Sequence, residues 1–237
     1  MATRAVDTHL AFDLAPEGQV RELNRALHGL AGGTEIVPVS VQNPGGRHSI
    51  AVGLDAPLEL EIGGHVGYYC AGMNQLATVR IRGNCGVGVA ENMMSGTVIV
   101  EGSASQAAGS SAHGGLLLIE GNASARCAIS LKGASVVVRG SVGHMSAFMA
   151  QSGALLVCGD AGEALGDSLY EARLYVRGAV ASLGADCIEK EVRAEHLEEI
   201  SSLLARAEID DAAPQEFRRY GSARQLYNFH VDNAGEY

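Results

Sequence analysis

Glycine recurs every 19 residues along this chain, at Gly64, Gly83, Gly102, Gly121, Gly140, Gly159 and Gly178. A fixed period of this length requires stacked copies of one small structural unit. Other columns keep the same step. Two residues before each glycine stand Ile62, Ile81, Val100, Ile119, Val138, Val157 and Val176, and four before stand Leu60, Val79, Val98, Leu117, Val136, Leu155 and Leu174. The position immediately before the glycine is mostly charged, as in Arg82, Glu101, Glu120, Arg139 and Arg177. Apolar side chains alternating with charged ones describe a short strand with one buried face.

A strand of about five residues in each unit leaves too little chain for a crossover helix, and no 3.6-residue period runs between the glycines. The predicted core is therefore all-β, a parallel β-helix of about seven rungs in which like residues stack. Each periodic glycine is expected to end a strand at a corner, where tolerance of positive φ is useful. Three and seven residues past each glycine only Gly, Ser or Ala occurs, which indicates tight corner packing.

The regions flanking the repeat have a different texture. Residues 1–47 read as a small α/β cap, with a strand over 6–14, a helix over 16–30 carrying Val20, Leu23, Leu27 and Leu30 on one face, and a strand over 34–41. Residues 48–188 form the β-helix. Residues 189–237 read as a C-terminal helix and an extended tail; the helix is expected to open near Asp186, with Val192, His196, Leu197, Ile200, Leu203 and Leu204 on its apolar side.

The chain carries a formal net charge of −10, which argues against nucleic acid and anionic membrane as partners. The first residues lack a basic flank followed by an apolar segment, and no apolar run is long enough to span a bilayer, so a cytoplasmic protein is expected. Five cysteines, without a C-x-x-C pair, read as packing thiols in a reducing compartment.

Two features exceed the needs of the repeat. Three residues before the glycine, on the outward face, stand Ile99, Leu118, Val137, Leu156 and Tyr175. This apolar stripe must be covered, either by the chain's own helix or by another subunit. The tail brings together Phe217, Arg218, Arg219, Tyr220, Arg224, Tyr227 and Phe229, residue types favoured in interface cores. Both are candidate partner surfaces, with a tail folded back on its own domain as the competing reading.

Patterns suggestive of chemistry fail on context. The Gly83-Asn84-Cys85-Gly86-Val87-Gly88 segment mimics a dinucleotide loop, but no helix pattern follows it. His65, His113 and His144 occupy different columns, which speaks against a shared metal. Glu101 and Glu120, flanked by Arg82 and Arg139, read as a solvated charge ladder. No catalytic, cofactor-binding or metal residue is assigned to this chain.

The repeated G-x-x-G-x-x-x-G/A phrase, as in Gly64-x-x-Gly67-x-x-x-Ala71 and Gly159-x-x-Gly162-x-x-x-Gly166, resembles the C-terminal domain of the glutamate synthase large subunit. That family, which also includes one of the subunits of formylmethanofuran dehydrogenase, implies a right-handed parallel β-helix over about residues 43–188. The free-standing form, with LGADCIEKE over 183–191 and RRYGSARQLYNF over 218–229, is similar to the GlxC-like β-helix subunits of N-methylglutamate synthase. This resemblance implies a non-catalytic subunit between an amidotransferase-like chain and an FMN-binding synthase chain. The complex would convert methylamine and L-glutamate into N-methyl-L-glutamate and ammonia. FMN, and any iron–sulfur cluster, would then belong to the synthase partner. A scaffold of the formylmethanofuran dehydrogenase type is one alternative, and a stand-alone β-helix enzyme acting on polysaccharide is another.

Overall fold

The structure, a computed structural model, describes residues 9–15 and 18–225. The expected parallel β-solenoid is present. Strands β1 (Leu10–Asp13), β2 (Val37–Gln42), β3 (Leu58–Gly63), β4 (Thr78–Ile81), β5 (Thr97–Val100), β6 (Leu116–Ile119), β7 (Lys132–Val138), β8 (Ser152–Val157) and β9 (Arg173–Val176) pair in sequence order, all parallel. From β3 to β7 the register advances by the 19-residue step, for example Val79↔Val98, Val98↔Leu117 and Leu117↔Val136. A second ladder of single bridges joins Val66, Cys85, Ala104, Ala123, Val142, Ala161 and Val180. The aliphatic columns that define the repeat point inward and are fully buried in one continuous core, where close packing of stacked small side chains replaces the large aromatics of other folds.

The periodic glycines serve a different purpose from the one expected. Among the seven, only Gly64 has positive φ. At the others a side chain would strike the rung before: a Cβ on Gly140 would lie 2.2 Å from Asn122 Oδ1 and 2.7 Å from the Gly121 carbonyl oxygen. Glycine is needed here for close backbone approach. Left-handed backbone falls instead five, seven and nine residues past each of the first six glycines, as at Tyr69, Ala71 and Met73, at Arg126, Ala128 and Ser130, and at Met145, Ala147 and Met149. Most of these residues are not glycine. Hydrogen bonds between rungs hold them, such as Ala128 N–H to Ala108 O at 2.8 Å and Ser130 N–H to Phe148 O at 2.8 Å, offsetting the steric cost of the αL region.

A polar ladder runs beside the glycines. The side chain one residue past each of the first six glycines accepts a hydrogen bond from the backbone N–H one rung on, as in Asn84 N–H to His65 Nδ1, Ser103 N–H to Asn84 Oδ1, Asn122 N–H to Ser103 Oγ and Ser141 N–H to Asn122 Oδ1. Asp160 and Ala179 continue it. These side chains satisfy donors that would otherwise be lost at the corner.

The N-terminal segment extends the solenoid sheet through β1 and β2, and helix α1 (Val20–His28) covers the open end. Leu23 and Leu27 enter the core, while Asn24 clamps the first rung by donating to Ser49 O and accepting from Ala51 N–H. The predicted elements are present here, each shorter than the sequence suggested.

At the other end the reading needs correction. Residues 187–190 do not begin a helix: they form β10 (Cys187–Lys190), and α2 spans Ala194–Arg206. Asp186 is not a helix cap but sits at φ 60, where its carboxylate accepts from Ser222 Oγ and Gln225 N–H. The chain after α2 returns as β11 (Arg218–Ser222), inserted antiparallel between β9 and β10. A partner strand distant in sequence thus overrides the local helical signal. The tail closes the sheet edge that an uncapped β-helix would expose.

Helix α2 lies along the outer face of the solenoid. Glu199 accepts from Arg173 (2.6 and 2.7 Å) and from Tyr175 Oη, both on β9, and Arg206 lies 3.4 Å from Ser135 on β7. Seven helical residues rise about 10 Å, which matches two rung spacings of about 4.8 Å. Burial works to raise the Glu199 pKa, but the hydrogen bonds from Arg173 and Tyr175 outweigh it and hold the carboxyl below its ordinary value of 4.5. A depressed carboxylate contributes stability above its unfolded pKa, and that contribution disappears as pH falls through the folded value. The melting temperature should accordingly decline below about pH 4.5, and Glu199→Gln should flatten that part of the profile while lowering stability at neutral pH. An unchanged acid limb would show that Glu199 is not a stabilising ion pair.

Candidate functional site

The apolar stripe is covered by the chain itself. Leu118, Val137, Leu156 and Tyr175 are buried, with Ile99 partly buried beside them, in a second core completed by Ile200, Leu203, Leu204, Ala207, Ile209 and Phe217. The helical contributors stand at i, i+3, i+4 and i+7, one face of α2. At the two preceding rungs the same column holds Glu61 and Arg80, beyond the reach of the helix. Leu118, Val137, Leu156 and Tyr175 are thus absent from the open surface and Ile99 is only partly exposed, so of the two readings of the stripe the chain's own helix supplies the cover.

Part of the described tail is likewise internal. Phe217 and Tyr220 are buried. Arg218 donates to Gly178 O at 2.6 Å and lies over the Tyr220 ring at 5.9 Å. Arg224 is exposed and pairs with Glu171 at 2.9 Å. Tyr227 and Phe229 lie outside the described residues.

The other polar candidates are structural. Arg82 pairs with Glu61 at 2.9 Å and with Glu101, and Arg139 pairs with Glu120 at 3.1 Å, so the charge ladder forms as read. All five cysteines are buried and unpaired. Burial pushes the thiols of Cys85, Cys127 and Cys187 up to about 12, far from the thiolate form that nucleophiles and metal ligands require. Within the dinucleotide-like segment, Gly83 and Gly86 pack against the backbone of the rung before, and Gly88 lies beneath the Tyr69 ring. No cluster of three or more His, Cys, Asp or Glu arranged to hold a metal occurs among the described residues.

Two surface features remain. The first is an apolar corner on neighbouring rungs, formed by Tyr68, Tyr69, Met73, Leu76 and Met94, each between 45% and 57% exposed. The His48 and Tyr68 rings stack at 4.4 Å, and Tyr68 meets Tyr69 edge-on at 6.5 Å. The tyrosines lie against Gly86 and Gly88 of the next rung, where a Cβ would come within 2.8 Å of each ring. Met94 N–H donates to Asn74 O, which places it on the rung that follows Met73. Tyr and Met exposed together on neighbouring rungs have the composition of an interface core. Sequence reading missed this corner because the columns of Tyr68 and Tyr69 vary from rung to rung and carry no other Tyr or Phe. The adjacent pair of tyrosines was the available signal.

The second feature is a polar cleft of about 550 Å³ where β10, β11 and the start of α2 meet. Lys190, Arg193, His196, Arg219 and Arg224 line it, together with Glu191 and Glu195. It concentrates positive charge on an acidic protein.

No helix among the described residues is long and apolar enough to cross a membrane, and no family model matches the chain. A curated relative, Protein GlxC of Rhizobium meliloti (strain 1021), is 60% identical over 218 residues, covering 92% of this chain and 96% of the relative. At that identity over nearly the full length of both proteins, the chain belongs to the GlxC family.

Proposed function

We propose that this chain is the non-catalytic β-helix subunit of a glutamate-synthase-like complex, N-methylglutamate synthase, which converts methylamine and L-glutamate into N-methyl-L-glutamate and ammonia. In this role it joins an amidotransferase-like subunit to an FMN-binding synthase subunit. FMN and any iron–sulfur cluster reside on the synthase subunit. The observation that carries the reading is the exposed corner of Tyr68, Tyr69, Met73, Leu76 and Met94 on an otherwise rigid, fully stacked prism. Solenoids present such extended, preorganised faces to partners. The kinship with GlxC and the employment of carboxylates and thiols in ladders and core packing agree with it. The partner-facing surface is assigned to this corner in place of the buried stripe.

Co-expression with the amidotransferase-like and FMN-binding chains should give a stoichiometric complex that forms N-methylglutamate, while the isolated chain turns nothing over. Tyr69→Asp combined with Met73→Asp should weaken assembly by at least about tenfold, the effect of losing an interface hot spot, with an unchanged circular dichroism spectrum. Turnover of a polysaccharide by the isolated chain would overturn the reading. Unaltered assembly of the double variant would remove this corner from the interface.

A further inference from the structure

We propose that the cleft between β10, β11 and the N-terminus of α2 is a binding site for a small organic carboxylate, a ligand site that goes beyond the bridging role and does not depend on it.

The first ground is an arrangement of like charges. In the antiparallel ladder Lys190 stands directly opposite Arg219, a pairing that costs stability when nothing neutralises it. Neither residue makes an ion pair among the described residues, whereas the neighbouring Arg193 and Arg224 are matched by Glu191 at 3.2 Å and Glu171 at 2.9 Å. Arg219 donates through Nη1 to the Glu191 carbonyl at 3.4 Å, but its Nε is buried without a hydrogen-bond partner among the described residues. A guanidinium left in this condition offers its remaining donors to an anion.

The second ground is independent of the arginines. His196 lines the cleft and is only 8% exposed. Its Nδ1 accepts the Arg193 backbone N–H at 3.0 Å, which leaves the ring proton on Nε2. Among the described residues Nε2 has no partner, so a donor of a buried residue remains unused. Burial, then the charge of Arg219, pushes the His196 pKa below its ordinary value of 6.5, which keeps this neutral tautomer in place near pH 7. Burial, Arg219 and Arg224 together lower the Lys190 pKa, a sign of the same positive field. The N-terminal end of a 13-residue helix adds to that field.

Charge balance selects the ligand class. With Arg193 and Arg224 matched, Lys190 and Arg219 are the two cations of the cleft without an ion pair among the described residues, opposed by Glu195 in the lining and by the field of Asp186 at Lys190. That pair suits a ligand whose carboxylates can meet the two cations separately, and disfavours a phosphate dianion, whose two charges sit on one centre beside Glu191 and Glu195. The volume of about 550 Å³ lies in the range of small-molecule sites.

Isothermal titration of the full chain with succinate, acetate and inorganic phosphate, at low ionic strength, tests this. Saturable one-site binding of succinate, with acetate weaker and phosphate weaker than succinate, is expected. Arg219→Gln and Lys190→Gln should each reduce succinate affinity by about tenfold or more, as for a lost charge-assisted hydrogen bond. Without ligand, Lys190→Gln should melt no lower than the parent, because it removes a like-charge pair; it carries the test if Arg219→Gln fails to fold. Absence of saturable succinate binding would overturn the proposal, as would binding indifferent to Lys190→Gln or phosphate binding as tight as succinate.

Discussion

Gly140→Ala should cost about 3 kcal/mol of folding stability, the upper range for inserting a methyl group into a packed site. Its Cβ would meet Asn122 Oδ1 at 2.2 Å and the Gly121 carbonyl at 2.7 Å and 2.9 Å, oxygen and carbon respectively. Neither neighbour can yield cheaply. Asn122 Oδ1 already accepts the Ser141 N–H at 2.8 Å, and Gly121 O accepts the Gly140 N–H at 3.0 Å. Relief would require separating two rungs, which disturbs the strand ladders on both sides. Gly46→Ala is the matched control. Gly46 has φ +72, and a Cβ there would meet nothing within 4 Å, so only the left-handed conformation is penalised, by about 1 kcal/mol. Urea denaturation of the two variants separates close approach from backbone conformation. Equal losses would show that rung contact is not what the periodic glycines protect.

Leu118→Asp should be more damaging still, with a loss above about 4 kcal/mol and little folded protein recovered. Leu118 lies in the outer core beneath α2, 5% exposed, and Arg139, two residues past its register partner Val137, is already engaged by Glu120 and Asp211. An unpaired carboxylate there must be desolvated or must drive α2 off the solenoid. Leu118→Ala, which removes volume without introducing charge, should cost about 3 kcal/mol. Thermal melts and limited proteolysis within residues 194–206 measure both outcomes. A folded Leu118→Asp protein with an intact α2 would mean that the helix contributes little to covering the stripe.

The repeat was legible in the sequence because each rung solves the same packing problem with the same residue types. The inward aliphatic columns, the Arg82–Glu101 and Glu120–Arg139 ladder and the α1 cap all follow from local spacing. The function of the glycines was misread: spacing marks where a side chain is forbidden, but a steric clash with the rung below and a positive φ leave the same mark. Asp186 was misread for a related reason. An acidic residue before an amphipathic run resembles a helix cap, and only the return of β11 from about 30 residues further along makes residues 187–190 a strand.

The candidate surfaces depended on tertiary structure more heavily. Sequence alone identified an outward apolar stripe and a Phe/Arg/Tyr tail, since both break the alternation of a half-buried strand. It could not say that one covers the other's neighbourhood. Placing Ile200, Leu203, Leu204 and Phe217 on Leu118, Leu156 and Tyr175 takes most of the stripe and the Phe217 end of the tail off the surface. The same folding exposes Tyr68, Tyr69 and Met73 and draws Lys190 and Arg219 into register. Period and alternation are properties of neighbours along the chain, so they determined the solenoid, its core and its rung count. Which faces stay open is decided by contacts between segments far apart in sequence, and those exist only once the chain has closed on itself.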